Sequence, residues 1–348
     1  MRSGTSIDDV MGLGTRSVGR VTVTELGFGA AQLGNLGRRI DDVEAKAAVD
    51  AAWSAGIRYF DTAPHYGLGL SERRLGEALA TRPRNEYIVS SKVGRILLPT
   101  PERAAAGETD SADGFIVPAS HTRHWDFSRD GILRSVEESL TRLQLDRLDI
   151  AYLHDPDSHW EQASTAGISA LIELRDQGVV GAIGAGMNQA GMLARFVREC
   201  DVDVVMVAGR LTLLDRTAEE ELLPLAAERN VAVVAAAVYN SGLLSARFVP
   251  DDASFDYRQA PTELIQSARS FSEVCEAAGW ELPDAAVRFP LRDPAVVSVV
   301  VGMRTPEHVN AAVRRHAARI PEDVWKQLSA PSTAPHSQFN AQSGSAAP

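Results

Sequence analysis

Residues 128–157 read SRDGILRSVEESLTRLQLDRLDIAYLHDPD and carry two different periods back to back. From Asp130 to Leu145, Ile132, Leu133, Val136, Leu140 and Leu143 recur at helical spacing. Arg134, Glu137, Glu138 and Arg142 take the opposite face, so the stretch predicts an amphipathic helix. At 148–153 the pattern changes to a nearly unbroken apolar run, as a strand buried on both faces of a parallel sheet requires. A helix leading into such a strand is half of a repeating unit.

Copies of that unit run along the chain. Runs rich in Val and Ile recur at 24–30, 56–60, 86–91, 148–153, 179–184, 203–208, 231–238 and 296–301. Further helical patterns lie at 42–54, 71–80, 165–177, 189–200, 217–229, 262–278 and 306–317, several opened by an Asp, Ser or Thr suited to capping. No Pro/Gly-rich linker or composition shift interrupts the series. Eight strand–helix units predict an α/β chain folded as a single (β/α)8 TIM barrel rather than two doubly wound domains. The barrel is expected over residues 20–330. Residues 1–19, Gly/Ser-rich and aperiodic, and residues 331–348, PSTAPHSQFNAQSGSAAP, read as flexible tails. Two connections are long: 95–127, and 245–261 with Phe255 and Tyr257. Each is either a lid or substrate wall, or an unstructured surface insertion.

Composition narrows the partners. The 348 residues hold 35 Lys+Arg against 46 Asp+Glu, a net charge of −11, which opposes binding to nucleic acid or anionic membranes. The longest apolar run, VAVVAAAV at 231–238, is far short of the ~20 residues of a membrane span. Two cysteines, Cys200 and Cys275, without metal or redox spacing, fit a reducing cytoplasm. His121 and His124, three apart in the long connection, lack a third ligand and read as solvated loop residues, so no metal is expected.

A parallel barrel builds its site at the C-terminal ends of its strands. The second strand runs out through IRYFDTAPHYG, delivering Asp61 and then Tyr66; the third ends in VSSKVG with Lys92, and the fourth in AYLHDPD with His154. These four side chains make chemical sense together. A phenol exchanges protons poorly at neutral pH, but an adjacent ammonium stabilises its phenolate. Lys92 could do this for Tyr66, Asp61 would hold Lys92 charged and aimed, and His154 could donate to a substrate oxygen. The set suits proton transfer coupled to reaction at a carbonyl or alcohol carbon.

The stretches FDTAPHYGLGLSERRLGEAL, SSKVGR, the quoted 128–157 segment and AIGAGMNQ resemble the aldo-keto reductases. They are most similar to the bacterial aldose branch, with its L-fucose, D-threo-aldose and D-galactose dehydrogenases and pyridoxal 4-dehydrogenase. The resemblance covers about residues 20–320 and implies the same barrel, an extended NADP or NAD cofactor, and a tetrad at Asp61, Tyr66, Lys92 and His154. It further implies cofactor contacts at Asn188, where GAGMN lacks the serine many relatives carry, and along Asn240, Ser241, Gly242 and Leu243. Gly302, Met303 and Arg304 lead from VVSVVVG into a helix start, an anion site resembling the family's pocket for an adenosine 2′-phosphate. Arg304 favours NADP, whereas Ala311-Ala312 replaces a Glu-Asn pair that often grips adenine. His65, Trp125 and Trp160 are the candidates for touching substrate; the two indoles would pack on a sugar or enclose the nicotinamide, unless they merely pack within their loops.

The expected function is hydride transfer between NAD(P) and the anomeric carbon of an aldose such as L-fucose or a D-threo-aldose, giving the lactone. The partner is then a small sugar or aldehyde. Two enzymatic alternatives share the chemistry: NADPH-dependent aldehyde reduction and pyridoxal oxidation. A cofactor-binding regulatory subunit, like the potassium-channel β-subunits that resemble this family, is the reading from another class.

Overall fold

The computed structural model describes residues 12–256 and 258–329. Eight parallel strands close into a barrel in chain order: β1 (Leu26–Gly29), β2 (Tyr59–Asp61), β3 (Ile88–Val93), β4 (Leu148–His154), β5 (Val180–Met187), β6 (Val204–Ala208), β7 (Ala232–Ala236) and β8 (Val296–Gly302). β8 pairs back onto β1 through Val299–Gly302 and Leu26–Gly29. The surrounding helices are α1 (Asp42–Ser54), α2 (Leu70–Leu79), α3 (Arg129–Leu143), α4 (Ile168–Asp176), α5 (Ala190–Glu199), α6 (Leu222–Arg229), α7 (Thr262–Ala277), α8 (Leu282–Arg288), α9 (Pro306–His316) and α10 (Glu322–Leu328). All eight expected strands are present, and the single barrel stands.

The two-residue period of a strand sorts the side chains into two cores. Tyr59, Ile150, Tyr152 and Met206 point inward and fill the barrel. Phe60, Val89, Ala151 and Leu153 point outward beneath the helices. The same parity continues to the strand ends. Asp61 follows Tyr59, Lys92 follows Ser90, and His154 follows Tyr152, so all three rise from the barrel interior at one rim.

The opposite end is sealed. Thr15–Val18 pairs antiparallel with Val21–Thr24, and Val18, Val21 and Val23 join the inner core as a floor. This corrects the expected tail, whose last residues form a strand: Gly19, at φ 55, makes the turn, and alternating valines find apolar partners that a Gly/Ser-rich composition concealed. Residues 1–11 of the expected N-terminal tail, and residues 330–348, which include the whole expected C-terminal tail, lie outside the described residues.

Both long connections contain structure of their own. In the first, Arg95–Pro99 pairs antiparallel with His121–Trp125, with a short helix Pro101–Ala105 between them. His121 and His124 therefore sit on a strand, and no metal-holding group of His, Cys, Asp or Glu occurs among the described residues. In the second, Ser254–Phe255 pairs with Arg258–Gln259, while Tyr257 lies outside the described residues. The expected helix at 217–229 is broken at Glu221. Pro224 explains the break, because its ring opposes the carbonyl four residues earlier. Among the described residues no helix is long and apolar enough to cross a membrane.

Candidate active site

Lys92 is the hub of the rim. Its Nζ donates to Asp61 Oδ2 at 2.7 Å and to the Thr62 carbonyl at 3.0 Å, with both charged side chains buried. Asp61 Oδ1 in turn accepts from Ser90 Oγ at 2.7 Å, so the carboxylate is held at both oxygens. The same Nζ hydrogen-bonds Tyr66 and lies 4.8 Å from the centroid of its ring. Burial alone would depress the ammonium, but the charge and hydrogen bonds of Asp61 and Tyr66 outweigh it and raise the Lys92 pKa.

Tyr66 stands in the turn after β2, and that turn is wedged against the one after β1. A Cβ on Gly34 would fall 2.6 Å from the Tyr66 carbonyl carbon, and one on Gly67, whose φ is 63, would fall 2.3 Å from the Gly34 oxygen. The start of α2 locks the two turns together. Ser71 Oγ donates to the Ala30 carbonyl at 2.7 Å and contacts Thr62 Oγ1 at 2.8 Å. Arg74 Nη1 bonds the Leu33 carbonyl and Asn35 Oδ1 at 2.7 and 2.8 Å.

His154 completes the group, with its ring perpendicular to that of Tyr66 at a centroid distance of 6.2 Å. Burial, and after it the positive charges of Arg95 and Lys92, push its pKa well below the usual value, so the imidazole is neutral at physiological pH. His65 lies 5.5 Å from His154, ring to ring, and 5.3 Å from Phe115; burial keeps it neutral too. The structure thus brings Asp61, Tyr66, Lys92, His154 and His65 together.

The tryptophans part company. Trp125 ends the first excursion, 39% exposed, with the Arg95 guanidinium 5.1 Å from its ring centroid and His159 stacked parallel at 6.5 Å. Trp160 packs away from the rim, 4.7 Å from Phe196 and with Arg195 3.8 Å over its ring, both on α5. These contacts support the packing alternative for Trp160. Five neighbours escaped the sequence reading: Ser90, Arg95, Phe115, Arg123 and Asp155. Ser90 shares the inward parity of Lys92 and Asp155 adjoins His154, so both were within reach of pattern alone. Arg123 donates to the His65 carbonyl at 3.0 Å, but it arrives through the excursion, and no local pattern marks that approach.

The residues expected to meet a dinucleotide lie along the rim from β5 to β8 and up against the turn after β1. Buried Gln32 Oε1, Asn240 Oδ1 and Arg304 Nε have no protein partner among the described residues, leaving amide and guanidinium groups to meet a polar ligand. Asn188 is exposed immediately beyond β5, and Gly302 is exposed at the end of β8, where a Cβ would fall 2.7 Å from Gln32 Oε1. Ser241 and Gly242 are exposed at φ 56 and 101. The Gly242 and Leu243 N–H groups, however, close turns onto the Tyr239 and Asn240 carbonyls at 3.0 and 3.1 Å, instead of standing free for phosphate oxygens. Leu243 and Met303 bury their side chains in the core. Arg304 leads into α9, whose Thr305 cap accepts from the His308 N–H, and its Nη2 donates to the Leu36 carbonyl at 2.6 Å. Burial and then the charge of Arg38 lower its pKa.

The sequence model of the aldo/keto reductase family matches residues 25–331. A D-threo-aldose 1-dehydrogenase of Pseudomonas sp. is 47% identical over 309 residues, 88% of this chain and 94% of that protein. A pyridoxal 4-dehydrogenase of Microbacterium luteolum is 37% identical over 331 residues, covering 90% of this chain and 96% of that protein. Among solved structures, the holo form of an aldo-keto reductase from Bacillus halodurans superposes with a TM-score of 0.73 at 26% identity, covering 91% of this chain and 95% of that one.

Proposed function

The chain belongs to the aldo/keto reductase family, and from that premise we propose that it is an NAD(P)-dependent aldose 1-dehydrogenase. Its substrate would be an aldose such as L-fucose or a D-threo-aldose, its product the lactone, and its compartment the cytoplasm, where both unpaired cysteines stay reduced. One observation supports the chemistry above the rest: a buried Lys92–Asp61 pair beside Tyr66, with neutral His154 on the same rim.

Asn188, Ser241, Gly302 and Arg304 would hold the dinucleotide. When bound, the dinucleotide would supply an oxidised nicotinamide as the hydride acceptor for the anomeric carbon. The work left to the protein is with the proton. Tyr66 Oη, held as phenolate by the Lys92 ammonium, takes the hydroxyl proton of the sugar. Asp61 keeps Lys92 charged and fixes where its Nζ points. His154, in its Nε2–H tautomer, donates to the reacting oxygen as a carbonyl develops there.

Tyr66→Phe removes the proton acceptor and nothing else near it. It is expected to lower kcat/KM by about 100- to 10,000-fold while leaving nucleotide binding in place. Steady-state rates with L-fucose, read beside a fluorescence titration with NADPH and NADH, check this; wild-type turnover would overturn the assignment. The similarity to pyridoxal 4-dehydrogenase supports a second reading, oxidation of pyridoxal at the same site. A panel of L-fucose, D-arabinose, L-galactose, pyridoxal and simple aldehydes separates it from the first and from plain aldehyde reduction.

A further inference from the structure

We propose that Asp155, fixed by Arg95 beside Trp125, selects substrates with a hydroxyl on the carbon next to the reacting carbonyl. The inference rests on the carbonyl chemistry proposed for the rim and adds what that chemistry leaves open, the choice of substrate.

Asp155 immediately follows β4. Its N–H still donates to the Gly186 carbonyl at 3.0 Å, so its backbone belongs to the barrel rather than to a loose loop. Its φ of 41 turns the chain left-handed, an uncommon conformation outside glycine that Asp tolerates better than most. The turn brings the carboxylate back over the rim. Oδ2 lies 3.6 Å from His154 Nε2, the nitrogen that would face the reacting oxygen. A group on the carbon adjacent to the reacting carbonyl would then come within reach of this carboxylate.

An ionised carboxylate can only accept hydrogen bonds. Asp155 Oδ2 already accepts from Arg95 Nη2, which fixes the side chain in place. The pairing also neutralises Arg95, so an anionic substrate gains little there, and a phosphorylated sugar would bring its charge against Asp155. Trp125, 39% exposed, lies beyond Arg95, whose guanidinium sits 5.1 Å from its ring centroid. An acceptor beside an aromatic face matches a neutral polyol, whose hydroxyls donate and whose C–H faces stack. An unsubstituted alkyl aldehyde would cover the carboxylate without offering a donor, and a site built to hydrogen-bond a hydroxyl discriminates strongly against that loss.

The test compares glycolaldehyde with acetaldehyde, which differ by the one hydroxyl, as substrates for reduction with NADPH or NADH. The wild-type enzyme is expected to show the higher kcat/KM for glycolaldehyde. Asp155→Ala is expected to lower the glycolaldehyde-to-acetaldehyde ratio at least about tenfold, and Asp155→Asn, which keeps one acceptor, by less. Both rates come from one preparation, so partial misfolding cancels from the ratio. A ratio in Asp155→Ala equal to that of wild type overturns the inference, as does a wild-type enzyme without preference. Oxidation of L-fucose with an unmoved ratio sinks this inference and leaves the aldose reading standing. Loss of discrimination in an enzyme that ignores L-fucose does the reverse.

Discussion

Asp61 meets Lys92 where neither side chain reaches water, and each charge is tolerable only because the other is present. Removing one partner of such a pair leaves an uncompensated charge, at a cost of about 3–5 kcal/mol. Asp61→Asn is therefore expected to destabilise the protein by roughly that amount at pH 7, measured by urea unfolding. The sign with pH follows from the raised Lys92 pKa. A raised folded-state value contributes stability that is complete below the unfolded lysine pKa of about 10.4 and is lost as pH rises through the folded value. In the variant, burial acts on Lys92 without Asp61 to oppose it. The deficit is then largest at neutral pH and narrows above about pH 10, and the alkaline limb of the rate profile moves to lower pH.

Strands and helices show which features pattern can reveal. Strand parity is local, so Asp61, Lys92 and His154 at consecutive strand ends are legible as one rim from sequence alone. Tyr66 was legible from its distance beyond Asp61, although the contact of Gly34 with Gly67 that sets its turn joins two loops and leaves no mark in either. The excursion after β3 was legible by length alone, because its pairing of Arg95–Pro99 with His121–Trp125 spans an intervening helix. Trp160 follows a rim strand, and of the two settings its sequence leaves open, beside the substrate or packed locally, its contacts with Phe196 and Arg195 favour the second. Trp160→Ala is accordingly expected to cost about 2–3 kcal/mol in chemical denaturation, as a lost half-buried indole does, with kcat/KM for L-fucose at its wild-type value. A selective rise in KM would return the residue to the substrate.

At the scale of the whole molecule, the chain's early hairpin and its last barrel strand are tied together beneath the floor. Arg16 Nε donates to Glu25 Oε1 at 2.8 Å, and its Nη1 donates to the Val296 carbonyl at 2.7 Å. His316 and Arg16 together hold the Glu25 carboxyl down to about 2, against its usual 4.5. A depressed carboxylate contributes stability that is complete above the unfolded pKa and is lost as pH falls through the folded one. Glu25→Gln should therefore cost about 2 kcal/mol at pH 7, with the cost shrinking from pH 4.5 toward pH 2, which unfolding curves at pH 7, 4 and 3 would trace. An undiminished cost at pH 3 would assign the effect to packing instead. The tie from Arg16 to Val296 also bears on how the protein is made, since its two ends are 280 residues apart. At about 5–20 residues per second, Val296 leaves the ribosome on the order of 15 to 60 seconds after Arg16. Throughout that interval the floor valines and the free edge of β1 have no final strand to cover them. The nascent chain is thus an unfinished cylinder until the eighth stave arrives, and its exposure to chaperones and to aggregation is set by the pace of translation.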